Sequence, residues 1–211
     1  MLQKYAFCGK IGYNLAMGKT FCLPTEFYDR PVLTVARDLL GKRLVRYLDG
    51  RRISGLITET EAYDGQLDLA CHARSGRTQR NAVMFGPPGC AYVYFTYGMH
   101  WCLNAVTGAE GYAAAVLIRA IAPQEGLDLI AEKRKGIARV LWTNGPAKLT
   151  RALMIDGTQN GASLTVREPG LWIEDAAAIP EADIHKTPRI GIEKTPEPWR
   201  SKPWRFLATG M

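Results

Sequence analysis

The residue types best suited to chemistry lie between positions 57 and 104. Glu61 ends a run that resembles a strand, His72 opens a stretch rich in arginine, and residues 92–101 are crowded with aromatic side chains. Packing alone would favour Val, Ile and Leu there, because each buried phenol needs a hydrogen-bond partner. A carboxylate, stacking rings and cations within one span indicate a site for chemistry on a nucleobase.

Composition predicts a single globular domain. The chain has 211 residues, 47% of them hydrophobic and 22% charged, which suffices for one well-filled core. Its net charge of +7 favours an anionic partner, and nucleic acid before a membrane surface. Residues 1–25 have no long apolar run, so we expect a weakly ordered tail there, neither a signal peptide nor a membrane span, and one domain over residues 26–211.

The cysteines do not have the spacing of a metal site. There are five of them, with no CxxC pair and no recurring pair of ligands at zinc spacing. We therefore expect reduced thiols, an intracellular protein and no bound metal.

Periodicity and turn signals predict the elements. Asp49-Gly50 between two apolar runs is a strong hairpin signal, and Tyr97 falls at the tip of a second hairpin. Arg119 interrupts an otherwise apolar strand. Strands are predicted over residues 42–48, 52–60, 90–96, 99–106, 113–122, 164–167, 171–174 and 189–192, and helices over residues 35–40, from Pro123, and over 147–155.

One predicted helix has an unusual first turn. Asn144-Gly145-Pro146 resembles a helix start, but Lys148 then places a cation where the helix dipole disfavours one. An anion bound at this N-terminus would explain that choice.

Several ordered motifs resemble those of the alkyladenine (3-methyladenine) DNA glycosylases. The resemblance covers about residues 27–206, and the order of the motifs makes it more specific than any one of them. The motifs are Glu-Thr-Glu-Ala-Tyr (59–63), Arg-Asn-Ala-Val-Met-Phe (80–85), Tyr-Val-Tyr-Phe-Thr-Tyr-Gly-Met (92–99), Val-Leu-Ile-Arg-Ala (116–120) and Asn-Gly-Pro-Ala-Lys-Leu (144–149).

The resemblance implies an α+β fold with a curved, mainly antiparallel sheet, surrounding helices and a protruding β-hairpin. It implies a monomeric, monofunctional enzyme without a cofactor, acting in base excision repair. Such an enzyme flips a damaged purine out of double-stranded DNA and hydrolyses its bond to C1′, leaving an abasic site. Alkylated purines are the expected substrates, with deaminated purines left open. The expected location is the bacterial cytoplasm, on nucleoid DNA, or the nucleus of a eukaryote.

The same resemblance assigns roles to single residues. By motif, Glu61 is the catalytic carboxylate and Arg119 holds the active-site water. Tyr97 is the residue that intercalates into DNA. The base pocket is lined by Tyr63, His72, Tyr94 and Asn104.

The chemistry agrees with these residue types. One carboxylate can deprotonate a water and stabilise the oxocarbenium-like sugar, as in glycoside hydrolysis. Ring faces attract a cationic alkylated base, and each stacked base contributes about 1–3 kcal/mol towards the cost of flipping. Tyr92 is assigned to packing, and Asp64 and Asp68 to a loop. The predicted phosphate contacts are Arg74, Arg77, Arg80, Gly145 and Lys148.

Two other functions fit part of the sequence. A zinc deaminase needs H-x-E and P-C-x-x-C, whereas this chain has His72-Ala73-Arg74 and no such cysteine pair. A non-catalytic nucleic-acid-binding protein would explain the charge and the tyrosines, but it leaves Glu61 without a role.

Overall fold

The computed structural model describes residues 21–210, which form an α+β domain built on one antiparallel sheet. The eight strands are β1 Arg43–Leu48, β2 Arg51–Tyr63, β3 Ala91–Thr96, β4 His100–Thr107, β5 Ala114–Glu125, β6 Leu171–Glu174, β7 Ile184–Thr187 and β8 Arg205–Ala208. The four α-helices are α1 Thr25–Tyr28, α2 Val32–Asp38, α3 Leu127–Lys133 and α4 Pro146–Ala152. Short 3₁₀ turns cover Gly65–Leu67, Ala82–Phe85, Arg139–Leu141, Gly157–Gln159 and Glu181–Asp183.

The strands follow the order β3-β4-β5-β2-β1-β6, with β7 and β8 attached at one side of β2. Every pair is antiparallel, as expected from the hairpin signals. The predicted fold class is confirmed.

The first hairpin forms where Asp-Gly predicted it. Asp49 and Gly50 both adopt positive φ, 50° and 76°. A two-residue turn whose twist matches that of the flanking strands requires positive φ at both positions. The turn sets β1 against β2 with Leu48 opposite Arg51.

Strand β2 is the longest, at 13 residues, and it changes partners along one edge. Its first half pairs with β1 as far as Leu56, and Glu59 to Glu61 then pair with β8. Its other edge pairs with β5, with irregular register on both sides of Glu59. The strand end carrying the candidate carboxylate is therefore paired on both edges.

Our prediction of a helix starting at Pro123 is wrong, because β5 continues through Pro123 to Glu125. Pro123 lies opposite Gly55 at a register irregularity in β2. Gly55 permits this approach, since a Cβ there would lie 2.6 Å from the carbonyl oxygen of Ala122. The helix starts instead after Gly126, whose φ of 67° ends the strand.

Other boundaries also differ. No strand forms over residues 164–167, although Ser163 just before them makes an isolated bridge to Cys90. Residues 189–192 are irregular rather than a strand. Helix α2 begins three residues earlier than predicted, at Val32, directly after Pro31. Helix α4 ends at Ala152 rather than at Ile155.

The core has two parts. A large cluster fills the space between the sheet and the helices, and a small cluster lies under the aromatic strand β3. The largest buried side chains of the first include Tyr28, Leu39, Leu44, Ile53, Leu103, Ile118, Ile130 and Leu149. The second consists of Cys71, Ala73, Met84, Tyr92, Val106, Ala113 and Ala115.

The predicted tail lies mostly outside the described residues. Within it, Leu23 is buried and its N–H donates to the carbonyl of Ile173 at 2.8 Å. The boundary at residue 25 stays a prediction. Between residues 21 and 210, none of the helices is long and apolar enough to cross a membrane.

Candidate active site

A cavity of about 370 Å³ opens between β3, β4, the end of β2 and the irregular segment 190–192. This volume lies in the range of small-molecule sites. Six of the residues predicted for the site line it: Tyr63, His72, Tyr94, Tyr97, Asn104 and Arg119. The remaining lining residues are Ala70, Met84, Tyr92, Thr96, Cys102, Ala115, Leu117, Pro146, Ile190, Gly191 and Ile192.

Glu61 lies directly behind this lining and is completely buried. One carboxylate oxygen accepts the N–H of Ile190 at 2.7 Å and lies 3.3 Å from Nη1 of Arg119. The other oxygen accepts the hydroxyl of Tyr63 at 2.9 Å. These donors occupy three of the four or so acceptor positions of a carboxylate, which leaves room for one more, such as a water.

Burial raises the pKa of Glu61 above its ordinary value, although Arg119, the Ile190 N–H and the Tyr63 hydroxyl act in the opposite direction. A carboxylate with a raised pKa is a stronger base than one on the surface. Tyr63 remains protonated, since burial and then the charge of Glu61 raise its pKa well above the usual range. Its hydroxyl is therefore a donor to Glu61.

Arg119 interacts with Glu59 as well as with Glu61. Its Nε donates to Oε1 of Glu59 at 2.6 Å, and the same oxygen accepts Nε of Arg205 at 2.6 Å. In the sequence, Glu59 stands out only as the first residue of the motif that contains Glu61. Arg205 had no sequence signal, because it comes from the distant strand β8.

One wall of the cavity is a cluster of rings on β3 and the preceding loop. His72 and Tyr94 meet edge to face with ring centroids 4.6 Å apart, and Tyr92 and Tyr94 lie 5.3 Å apart. Nδ1 of His72 lies 3.0 Å from the hydroxyl of Tyr92. Tyr92, which we assigned to packing, is almost fully buried, lines the cavity and also fixes the imidazole.

The imidazole of His72 is uncharged at neutral pH. Its edge is exposed at the cavity mouth, but desolvation by surrounding atoms, followed by the charges of Arg80 and Arg74, lowers the pKa of His72 to about 4. A neutral ring can stack on a cationic base without repulsion.

Tyr63 forms another wall and is supported from behind. The guanidinium of Arg189 lies 4.7 Å from the Tyr63 ring centroid and 5.0 Å from that of Trp204. Nη1 of Arg189 also donates to the carbonyl of Ala62 at 2.9 Å. These contacts fix the ring of Tyr63 and the segment carrying Ile190.

Arg189 is paired with Asp68, which we had treated as an ordinary loop residue. Both side chains are completely buried, and the carboxylate accepts hydrogen bonds from both Nη groups of the arginine. Asp68 also accepts the N–H groups of Asp64 and Ala70, at 3.2 and 3.0 Å. This pair ties the loop before His72 to segment 189–192, and the 121 residues between its members hid it from sequence reasoning.

Asn104 projects into the cavity from β4. It lies between Tyr92 on β3 and Leu117 on β5 in the sheet register. Its Nδ2 donates to the carbonyl of Tyr92 at 3.0 Å, which orients the amide. An amide has two N–H donors and a carbonyl, so hydrogen-bonding capacity remains for a ligand.

Tyr97 stands at the tip of the β3–β4 hairpin, beside the cavity mouth. Its side chain is 82% exposed and its φ is 51°, followed by Gly98 at 67°. Met99, two residues further along, is also exposed. Two exposed large apolar side chains on one hairpin tip are typical of a surface that binds a partner.

The sequence profile of the methylpurine-DNA glycosylases matches residues 26–211. The chain belongs to this family. Relatives named as 3-methyladenine DNA glycosylases share much of its sequence. One from Carboxydothermus hydrogenoformans is 52% identical over 184 residues, which are 87% of this chain and 93% of the relative. One from Methanocella arvoryzae is 50% identical over 185 residues, covering 87% and 90%.

The arginines predicted to bind phosphate in this family member lie on the exposed loop beside the cavity. Arg80 donates to the carbonyl of Phe95 at 3.1 Å and lies 5.3 Å from the ring centroid of Tyr94. Arg74 donates to the carbonyl of Leu69 and lines a second, polar cleft of about 540 Å³ that adjoins the first. Arg77 is exposed. Their contacts with DNA stay predictions.

Gly145 and Lys148 lie at the start of α4. Gly145 precedes the helix in an extended conformation, and Pro146 occupies its first turn and lines the cavity. The ammonium of Lys148 donates to the side-chain oxygen of Asn144 at 2.9 Å. This bond orients the ammonium at the start of α4, and its contact with a phosphate stays a prediction.

Within the described part of the chain, no group of three metal-ligating side chains comes together. The thiols of Cys22, Cys71, Cys90 and Cys102 are free. Burial raises the pKa of Cys71 to about 11, which keeps it a neutral thiol beside the site.

Proposed function

We propose that this chain is a monofunctional glycosylase that flips alkylated purines out of duplex DNA and hydrolyses the bond to C1′ with a water activated by Glu61. Its family is that of enzymes named for methylpurine in DNA. The observation that carries the proposal is a buried carboxylate of raised pKa directly behind a cavity with aromatic walls. Neither half of that arrangement would be needed for packing.

Glu61 is the proposed general base. Its carboxylate keeps one acceptor position for a water, and its raised pKa increases its basicity. Arg119, which lines the cavity, would hold the water and keep the carboxylate ionised. As the bond to the base breaks, the same negative charge stabilises the positive charge on the sugar.

Access to Glu61 passes through its neighbours. The carboxylate has no exposed surface, and Tyr63, Arg119 and Ile190 lie between it and the cavity. Residues 190–192 follow the anchored Arg189 but belong to no strand, unlike Tyr63 on β2 and Arg119 on β5, so they can move at less cost than the rest of this lining. We expect bound DNA to displace them slightly, which admits the water.

The rings would hold the base. Tyr63 faces the cavity from one side, and neutral His72 and Tyr94 from another. Each aromatic face attracts a cationic base by roughly 0.5–2 kcal/mol. A purine alkylated at N3 or N7 already carries a positive charge, so it leaves without a general acid. Asn104 would provide polar contacts to the base edge.

Tyr97 would fill the gap that the flipped base leaves. It is the most exposed aromatic side chain of the hairpin and lies beside the cavity mouth. Proteins that bend DNA insert apolar side chains between base steps in a similar way. Arg74, Arg77, Arg80, Gly145 and Lys148 would contact phosphates around it.

A non-catalytic lesion-binding protein is the alternative. It would use the same rings and cations, but a buried carboxylate near phosphates would weaken its binding. Substitution of Glu61 by Gln separates the two functions, because Gln keeps the shape and removes the base.

The test is release of methylated purines from dimethyl sulfate-treated duplex DNA, with EDTA present and no metal added. We expect wild-type protein to release them and Glu61→Gln to be slower by about 10²–10⁴-fold, the usual contribution of a general base. Binding of lesion DNA should be retained or improved. The matched control is Glu125→Gln, which removes a carboxylate at the far end of the β2–β5 pair.

Loss of the folded state must be separated from loss of the base. Gln at position 61 turns an NH₂ group towards the donors that the carboxylate accepts, so the free energy of unfolding of Glu61→Gln is measured by urea titration beside its activity. Only a variant that is folded under the assay conditions counts as a test. An active Glu61→Gln enzyme would refute the general-base role, and an inactive wild type that still binds lesions would favour the alternative.

A further inference from the structure

We propose that Glu59 is a positioning residue that sets how strongly Arg119 interacts with Glu61. This inference rests on the proposed function, since Arg119 and Glu61 are its reactive pair. It goes further by giving a role to two residues that the chemistry above does not use, Glu59 and Arg205.

The four side chains form a chain of alternating charge. Arg205 and Arg119 both donate Nε to the same oxygen of Glu59, each at 2.6 Å. Arg119 reaches Glu61 only through Nη1, at the longer distance of 3.3 Å. Side-chain exposure falls along the chain, from 19% at Arg205 to zero at Glu61. Two carboxylates and two guanidiniums leave the group neutral.

The sheet places Glu59 in this position. It lies between Ala120 of β5 and Leu207 of β8, and the register of β2 against β5 shifts on both sides of it. Arg205 lies opposite Glu61 in the β2–β8 ladder, yet its guanidinium reaches Glu59. A side chain that only filled the sheet surface would not need two arginines.

Competition for Arg119 is the consequence. A guanidinium engaged with Glu61 alone would make a short, charge-assisted pair, which lowers the basicity of a carboxylate. Glu59 takes the Nε of Arg119 and leaves a weaker contact for Glu61. The raised pKa of Glu61, caused first by burial, also receives an upward contribution from the charge of Glu59. Arg205 balances that charge.

Two variants should shift the pH dependence of kcat in opposite directions. Glu59→Gln removes a negative charge and releases Arg119 towards Glu61, so the rise of kcat with pH should shift to lower pH. We expect kcat to fall about tenfold, since the weaker base loses part of the 10²–10⁴-fold contribution of general-base catalysis. The KM for lesion DNA should stay within about twofold of the wild-type value, because neither Glu59 nor Arg205 lines the cavity proposed to hold the base. Arg205→Gln removes a positive charge and should shift the rise to higher pH.

The measurement is the pH dependence of kcat for the full-length protein on methylated duplex DNA, with the pKa of Glu61 followed in parallel by carboxyl ¹³C NMR. The Glu61→Gln spectrum identifies the resonance. Glu125→Gln is the control, since it removes a carboxylate that also accepts from an arginine in the β2–β5 pair but lies at its far end. It should leave both profiles unchanged.

A purely structural role would lower activity in Glu59→Gln and Arg205→Gln without opposite shifts, and that result would overturn the proposal. If Glu59→Gln does not fold, the upward shift in Arg205→Gln still decides the matter. A wild-type protein that releases no base would defeat the proposed function. The NMR titration would then still test whether Glu59 weakens the interaction of Arg119 with Glu61.

Discussion

The buried pair of Asp68 and Arg189 should be a main contributor to the stability of the site. Both oxygens of Asp68 are fully used as acceptors, from Arg189 and from the N–H groups of Asp64 and Ala70. In Asp68→Asn, one oxygen becomes an NH₂ group that faces donors in either orientation. The variant therefore leaves a buried guanidinium without its counterion.

Breaking a buried ion pair by removing one partner costs about 3–5 kcal/mol. Arg189 would keep the carbonyls of Ala62 and Trp199, at 2.9 and 3.2 Å, and its contact with the ring of Tyr63. These remaining contacts place the expected loss near the lower end, about 3 kcal/mol. For a domain of this size, that loss lowers Tm by about 6–12 °C.

The assay is equilibrium unfolding in urea together with a thermal scan, at neutral pH. The matched control is Asp128→Asn, because Asp128 also pairs with an arginine, Arg51, but both side chains of that pair are exposed. That variant should unfold close to wild type. Equal effects of the two substitutions would refute the reasoning that burial makes the Asp68 pair costly to break.

Further predictions concern the tip, the pH profile and the sheet. Tyr97→Ser should weaken binding to duplex lesions and slow excision while leaving Tm unchanged, and wild-type excision by this variant would return Tyr97 to a surface role. The kcat/KM should rise with pH through the raised pKa of Glu61, with no second inflection near pH 6.5 because the pKa of His72 is about 4; an inflection there would contradict a neutral imidazole. Gly55→Ala should be strongly destabilising, since the added Cβ would lie 2.6 Å from backbone on β5. Gly50→Ala has open space around it, so it should be destabilised only by the strain of alanine at positive φ. Urea unfolding of both variants tests this difference.

Local signals in the sequence predicted the hairpins well. Asp49-Gly50 needs only its own turn geometry, and the strand with Tyr92 and Tyr94 on one face follows from alternation. Predictions from local signals were wrong where strand pairing overrode the local preference. Pro123 looked like a helix start, but the register irregularity of β5 opposite Gly55 accepts it in a strand.

From the sequence, only those residues of the site could be predicted to which the family resemblance assigned a role. Six residues to which the resemblance assigned roles line one cavity, and Glu61 lies directly behind it. The groups that hold them were hidden, because Arg189 reaches Asp68 across 121 residues and Arg205 reaches Glu59 across 146. Long-range pairs of this kind have no periodic signature in a single sequence. The backbone N–H of Ile190 could not be found from residue types at all.

The partner change along β2 has a consequence for the order in which the site is made. Glu61 is synthesised 129 residues before Ile190, which supplies one of its hydrogen bonds, and Arg205 follows later still. At about 5–20 residues per second, this interval lasts roughly 6–26 s. A nascent chain already has its arginine-rich loop and aromatic hairpin during that time, but its carboxylates have neither β8 nor segment 189–192 beside them. If the rings and arginines bind DNA as proposed, an incomplete chain could bind DNA before it could excise a base.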